Sequence, residues 1–303
     1  MLNDLFAEQD GYEGGEPEES GTSDLPTEPF DANKLTPGTP SKNINPFQIG
    51  IGSSVGMQRD HNEDALFAMS TILVSNRAGI PMGLFIVADG MGGHLHGELA
   101  SELAVQAMTS SVLPELTPPA LGLVPGIGDQ HLREIMANGV RSAHKLIQEK
   151  ASGGGSTLTG LLVLGNKVTI AHIGDSRAYH FDGKNQPQVL TTDHSLVKRL
   201  EDLGQITADE AAIHPQRNVL YRALGQVEQV DADIISTALP ASGYLVVCSD
   251  GLWGVIPDQE ISQIISNTAD PQQACQFLLK AANNAGGPDN ISVIIIKIPD
   301  QSP

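Results

Sequence analysis

The way two periodicities alternate along this chain does most to limit its fold. Apolar, strand-like runs come in clusters, and pairs of stretches with helical spacing separate the clusters. A first cluster starts near Phe47, with Ile49 and Ile51 alternating with glycines up to Val55, continues at Leu66 and Phe67, and includes 82–88. Helical stripes follow at 97–113 (Leu99, Leu103, Ala107) and at about 130–150 (Leu132, Ile135, Met136, Val140, Ala143, Ile147), with the Pro/Gly-rich 114–128 read as a loop between them. Strands are then expected at 158–164, 168–173 and through Tyr179 and Phe181. A helix over 195–203, with Leu196, Leu200 and Leu203 inward, stops at Gly204, and Thr207 and Glu210 have capping-box spacing for a short helix. Strands at roughly 231–238 and 244–249 precede two more helices, one starting near Asp258, the other with Asp270 as N-cap and Pro271 at N1. Strand 291–298 closes the chain. A doubly wound parallel sheet needs strict strand–helix alternation. Clusters separated by helix pairs predict an α/β sandwich of antiparallel sheets covered by helices.

The 303 residues suffice for one large or two ordinary domains. Residues 1–31 hold ten acidic side chains and no Lys or Arg, about half of the net charge of −19, leaving −9 for the rest. With Pro17, Pro26, Pro29, Pro37 and Pro40 added, 1–45 reads as an acidic, Pro-rich disordered tail, and 46–300 as the folded domain. The negative charge argues against nucleic acid or an anionic membrane as partner. No apolar run approaches the ~20 residues that span a bilayer, and the start lacks a signal-peptide pattern. Cys248 and Cys275 make no disulfide framework, and Cys248 lies in an apolar strand pattern. A cytoplasmic protein is expected, and a monomer.

Acids recur at strand ends with Gly or Asn beside them. They are Glu63/Asp64, Asp89-Gly90, Asp250-Gly251 and Asp289-Asn290, with Asp175 after Gly174 as a fifth. Such an acid is ordinarily a turn residue. Several of them, each after a run of apolar β residues, suggest convergence on one site, with the carboxylate of Asp89 at its centre. Converging carboxylates cannot all stay ionised without counter-charge. The cations near them in sequence are Arg59 and Arg177. Hard oxygen ligands select Mg²⁺ or Mn²⁺, and no His/Cys grouping has zinc spacing. Two such ions ~4 Å apart would lower the pKa of a bridging water and hold it for in-line attack on phosphorus. Arg59 would clamp the phosphoryl oxygens with its planar fork. The glycine run 153–155 lacks the Lys and the strand-then-helix order of a P-loop and reads as a connector.

Seven motifs stand in one order: Arg59-x-x-Asn62-Glu63-Asp64, Val87-Ala88-Asp89-Gly90-Met91-Gly92-Gly93-His94, His172-Ile173-Gly174-Asp175-Ser176-Arg177, Thr192-Asp193-His194-Ser195, Arg222-Ala223-Leu224-Gly225, Cys248-Ser249-Asp250-Gly251-Leu252-Trp253 and Gly287-Pro288-Asp289-Asn290-Ile291-Ser292. In these the chain resembles bacterial members of the metal-dependent protein phosphatase family, type 2C, over about 47–298. The resemblance implies an α-β-β-α sandwich whose two mostly antiparallel β-sheets are flanked by antiparallel helix pairs. It also implies hydrolysis of phosphoserine and phosphothreonine in proteins with Mn²⁺ or Mg²⁺, two ions in the core site and a third as an option. By the same resemblance Asp89, Asp250 and Asp289 match ligands of the first metal. Asp89, the Gly90 carbonyl and the Glu63/Asp64 pair match the second metal's shell. Asp175, shared with Asp250, matches a weaker third site, and Arg59 matches the phosphate-binding arginine. Arg177, Arg222, Asn290 and His172 are expected to brace the structure. Residues 196–221 correspond to a flap where selectivity is expected. Partners would be phosphorylated proteins, a serine/threonine kinase or its substrates among them.

One position departs from the family. Eukaryotic members have a histidine acid directly after the Asp-Gly pair, where this chain has Met91, with His94 three residues on. Two alternatives stand beside this reading: a catalytically impaired member that binds phosphoproteins, and a two-metal phosphoesterase for small molecules. The intact acid set disfavours the first.

Overall fold

The computed structural model describes residues 46–75, 78–92, 95–120, 128–182 and 187–299. The expected acidic tail and His94 lie outside them. In chain order the elements are β1 (Gln48–Ser54), β2 (Asp64–Ser75), β3 (Ala78–Met91), α1 (Leu95–Ala120), α2 (Asp129–Lys150), β4 (Gly155–Ser156), β5 (Leu158–Leu164), β6 (Lys167–Ile173), β7 (Arg177–Phe181) and β8 (Gln188–Val189). They continue with α3 (Leu196–Asp202), α4 (Ala208–Ala212), β9 (Asp233–Ala238), β10 (Gly243–Cys248), α5 (Asp250–Trp253), α6 (Asp258–Ser266), α7 (Pro271–Asn284) and β11 (Ile291–Ile298).

Two sheets result, one ordered β1-β11-β10-β7-β8 and the other β2-β3-β5-β6-β9, with β4 paired to the end of β3. The strand pairings are antiparallel. The period of two in the central strands explains the layering. In β3, Leu84, Ile86 and Ala88 pack with α1 and α2, whereas Phe85 and Val87 face the other sheet. In β11, Val293 and Ile295 pack with α6 and α7, whereas Ile294, Ile296 and Ile298 face inward. Both faces of each central strand are therefore buried, which is why those strands read as unbroken apolar runs. Three cores, helix–sheet, sheet–sheet and sheet–helix, make the α-β-β-α sandwich.

The structure corrects three sequence readings. The third strand does not stop at 88: it carries Asp89, Gly90 and Met91 within it, because the supposed connector supplies β4, which pairs Gly90 with Ser156 and Met91 with Gly155. The first helix does not stop before Pro114. It runs on to Ala120, and the full burial of Val112 and Leu116 in the helix–sheet core offsets the roughly 3 kcal/mol that an internal proline costs. In α3 the inward residue is Val197, while Leu203 is 63% exposed; the helix lies on the surface, and its apolar stripe meets no full core.

Candidate active site

The antiparallel register of β2 and β3 sets Asp64 directly opposite Asp89. Asp89 is fixed through its backbone. Its N–H donates to Thr157 Oγ1 (3.0 Å), and its carbonyl accepts from the Thr157 N–H (2.9 Å) and from Ser156 Oγ (3.1 Å). Gly90 donates its N–H to the Glu63 carbonyl (3.1 Å) and sits beneath the start of α1. A Cβ there would fall 2.1 Å from the Gly97 carbonyl oxygen and 2.7 Å from that of Glu63. No other residue fits, and the requirement is close backbone approach, not a turn. Gly97 has its own reason, since a Cβ would lie 2.0 Å from Glu63 Oε2. The Glu63 carboxylate thus occupies the space over the helix start, and its Oε1 bonds His61 Nε2 at 3.0 Å.

The second sheet contributes from the ends of β10 and β11. Asp250 opens α5 behind the N-cap Ser249, so it is the first residue of a short helix and not part of a turn. Ser249 Oγ donates to Asp64 Oδ2 (2.8 Å) and accepts from the Ser292 N–H (2.9 Å), joining the two sheets at the carboxylates. Asn290 holds the 59–63 segment: its Nδ2 donates to the Val55 and His61 carbonyls, and its Oδ1 accepts from the Glu63 N–H. Asp289 bonds Arg59 Nη2 at 2.7 Å. The phosphate-clamp candidate is therefore already half-engaged, with 48% of its side chain exposed.

The electrostatics are those of an acid cluster short of cations. Burial and then the neighbouring Asp250 and Asp289 push Asp64 up to about 7, against the hydrogen bond from Ser249. Asp89 stands well above the carboxylate range from burial and from repulsion by Asp64, Asp250, Asp175 and Asp289. Burial and Asp289 raise Asp250 to about 6, and burial, Asp250 and Asp193 raise Asp175. The five aspartates of the strand-end pattern, Asp64, Asp89, Asp175, Asp250 and Asp289, thus lie near enough to act on one another. Asp64 Oδ1 and Asp250 Oδ1 are buried with no hydrogen-bond partner. Orphaned carboxylate oxygens in a buried acid cluster fit a hard divalent cation, which would supply both the missing partner and the counter-charge. Among the described residues no three His, Cys, Asp or Glu side chains are closed round one point as a formed shell would be.

A cleft of about 490 Å³ opens from this cluster, with Arg59, Asp175, Asp250 and Asp289 on its floor and Val197, Ala211 and Trp253 among its walls. The bracing residues behave as expected. Arg177 forms a forked pair with Asp193 and lies 3.5 Å from the centre of the Trp253 ring. Arg222 pairs with Asp231 and Asp233. His172 is held by Thr159 and the Thr192 carbonyl, and burial lowers it to about 4. Sequence reasoning missed Ser249, Thr157 and Gly97. Ser249 carried a signal, as a good capping residue directly before an acid; Thr157 and Gly97 gave none, because their roles depend on contacts across the fold.

An acid-lined cleft at the edge of an α-β-β-α sandwich, with an arginine on its floor, is chemically suited to hold hard divalent cations against a phosphoester. Comparison with known proteins narrows the class. The protein phosphatase 2C family pattern matches residues 51–291. Protein phosphatase PhpP of Streptococcus pneumoniae is 34% identical over 260 residues, covering 84% of this chain and 99% of the relative. The serine/threonine phosphatase of S. agalactiae superposes with a TM-score of 0.70 at 31% identity, covering 83% of this chain and 99% of that one. The catalytic domain of the serine/threonine protein phosphatase PstP, solved with two manganese ions, has a TM-score of 0.66 at 28% identity, covering 83% and 98%. The chain belongs to the protein phosphatase 2C family. It is a metal-dependent serine/threonine protein phosphatase.

Proposed function

We propose that Asp89, Asp250 and Asp289 hold one divalent cation, and that Asp89, the Gly90 carbonyl and the Glu63/Asp64 pair surround a second. Asp175 and Asp250 would share a third. The observation that carries this reading is the pair of buried, partnerless oxygens on Asp64 and Asp250 within a mutually repelling cluster. Oxygen-only donors suit Mn²⁺ or Mg²⁺. When bound, such ions supply a water activated for in-line attack on phosphorus and neutralise phosphoryl charge.

The chain's own residues position and accommodate. Thr157 and Ser156 fix the Asp89 backbone, and Ser249 orients Asp64 while leaving its second oxygen free to bind. Arg59, anchored by one nitrogen on Asp289, presents its remaining N–H donors to a phosphoryl oxygen in the cleft. Met91 has no proton to give, so the serine or threonine oxygen leaving phosphorus takes its proton from water in the open cleft. The substrates are phosphorylated proteins, a serine/threonine kinase or its targets among them. The two buried free cysteines suit a reducing, cytoplasmic compartment. Among the described residues no helix is long and apolar enough to cross a membrane. The proposed organisation is a folded domain at 46–300 behind an acidic tail at 1–45, acting as a monomer.

The test compares phosphate release from a phosphothreonine peptide and from a nucleotide, with Mn²⁺ and with chelator. Peptide turnover that chelation abolishes is expected. Turnover confined to the nucleotide, or indifferent to chelation, would overturn the proposal.

A further inference from the structure

His194 is not one of the clustered carboxylates, yet it ties the turn that carries Asp175 to the segment that follows it. It grips one residue, Gly174, twice. Its backbone N–H donates to the Gly174 carbonyl at 2.7 Å, and its Nδ1 accepts the Gly174 N–H at 3.1 Å. Gly174 has φ +104°, and a Cβ on it would meet Thr157 at 2.6 Å, so the turn is wedged between Thr157 and the imidazole. The next residue is Asp175. Its carbonyl is held from the other side by Trp253 Nε1 at 3.0 Å.

The same histidine closes the stem of the flap. The chain leaves at Ser195 and returns at Leu220, where the two residues form an antiparallel bridge. The His194 carbonyl accepts the Tyr221 N–H at 2.9 Å, and the two rings meet edge to face at 5.8 Å. The tautomer follows from these bonds. Nδ1 accepts, so the ring proton of the neutral imidazole is on Nε2, which faces Asp233 Oδ2 at 3.4 Å with Arg222 Nη1 also 3.4 Å away; the His172 ring lies 4.9 Å off, tilted by 34°. The ring is 98% buried within this frame, its side chain being 2% exposed.

We propose that His194 is a positioning residue that locks the Asp175 turn to the base of the 196–221 flap, so that flap and carboxylate keep one relative placement. The acceptor at Nδ1 is the essential feature; ring volume and the Nε2 contact are secondary. This rests on the reading of Asp175 as part of the cation site, and the experiment separates the two.

Asparagine can set its amide oxygen where the imidazole has Nδ1. Glutamine can set its amide nitrogen where the ring has Nε2 and leaves Gly174 without an acceptor. His194→Asn, His194→Gln and His194→Ala are compared in the full chain, metal-free, at a temperature well below the lowest melting point. Hydrogen exchange of the 173–177 segment is read by mass spectrometry. Loss of one buried hydrogen bond predicts about tenfold faster Gly174 exchange in the Gln and Ala variants, with Asn near wild type. Equal protection in Asn and Gln, or unchanged exchange in all three, would overturn the proposal. In a second arm Mg²⁺ is titrated against the emission of Trp253, the chain's single tryptophan, which bonds the Asp175 carbonyl. The Gln and Ala variants are expected to need about tenfold more Mg²⁺ than wild type and Asn. A wild type whose emission ignores Mg²⁺ removes Asp175 from the cation site, while the exchange comparison still decides the role of His194.

Discussion

Gly90→Ala adds a single carbon to the centre of the site, and the structure sets what it must cost. That carbon would stand 2.1 Å from the Gly97 carbonyl oxygen, 2.5 Å from its carbon and 2.7 Å from the Glu63 carbonyl oxygen. All three are backbone atoms. A relaxed carbon–oxygen contact is about 3.3 Å, so the start of α1 or the 59–63 segment must retreat by about 1 Å. Overpacking of this kind costs roughly 1–3 kcal/mol of stability. Catalysis suffers more, because Glu63 and Asp64 ride on the displaced segment and a misplacement of about 1 Å costs about 100-fold. The assay is kcat on a phosphothreonine peptide with saturating Mn²⁺, beside a thermal melt. Gly128→Ala, where a Cβ meets nothing within 4 Å, is the control and should leave kcat unchanged. A Gly90→Ala enzyme with wild-type kcat and wild-type melting would refute the close-approach argument.

Further outcomes follow from the same geometry. Arg59→Ala removes a charge-assisted contact worth about 1.5–3 kcal/mol, so KM for the phosphopeptide should rise about tenfold or more, with a smaller fall in kcat; an unchanged KM takes Arg59 out of the phosphate site. Asp64 and Asp250 titrate near 7 and 6 in the metal-free fold, above their unfolded values. The folded state therefore holds protons that the unfolded chain has lost, and metal-free stability should fall as pH rises from about 4 through about 7. Saturating Mg²⁺ should raise the melting temperature by an amount that grows over that range, and a pH-independent gain would contradict the cluster. Burial pushes the Cys248 thiol up and the Cys275 thiol to about 12, so a disulfide reagent at neutral pH should label neither until urea is added. Rapid labelling of the native protein would contradict the packing of β10 and α7.

Much of this architecture was legible because the central strands announce themselves. Leu84–Ala88 and Val293–Ile296 are apolar on both faces, which only a strand between two layers requires. The acids were legible because each stands in or beside an apolar strand: Asp64 opens β2, Asp89 lies near the end of β3, Asp250 follows β10 and Asp289 precedes β11. What the sequence hid were contacts between distant segments. Asp89 looked like a turn residue until β4 arrived from 65 residues away to extend its strand. Pro114 looked like a helix end because a local rule outweighed the unseen burial of Leu116. Leu203 looked buried because its spacing fits a stripe, whereas α3 has no core to fill on that side. His194 showed only as a member of the Thr192–Ser195 motif, and its grip on Gly174 depends on tertiary placement.

The central claim is that the buried carboxylates act through a divalent cation, and Asp250→Asn tests it most directly. Asparagine keeps the shape and one oxygen acceptor, and it removes one of the charges that repel Asp89 and Asp64, so the variant should melt no lower than wild type without metal. With Mn²⁺ the wild type should release phosphate from a phosphothreonine peptide, and the folded Asp250→Asn protein should be slower by about a thousandfold or more. Turnover within a few-fold of wild type, in a variant that melts normally, would contradict the account.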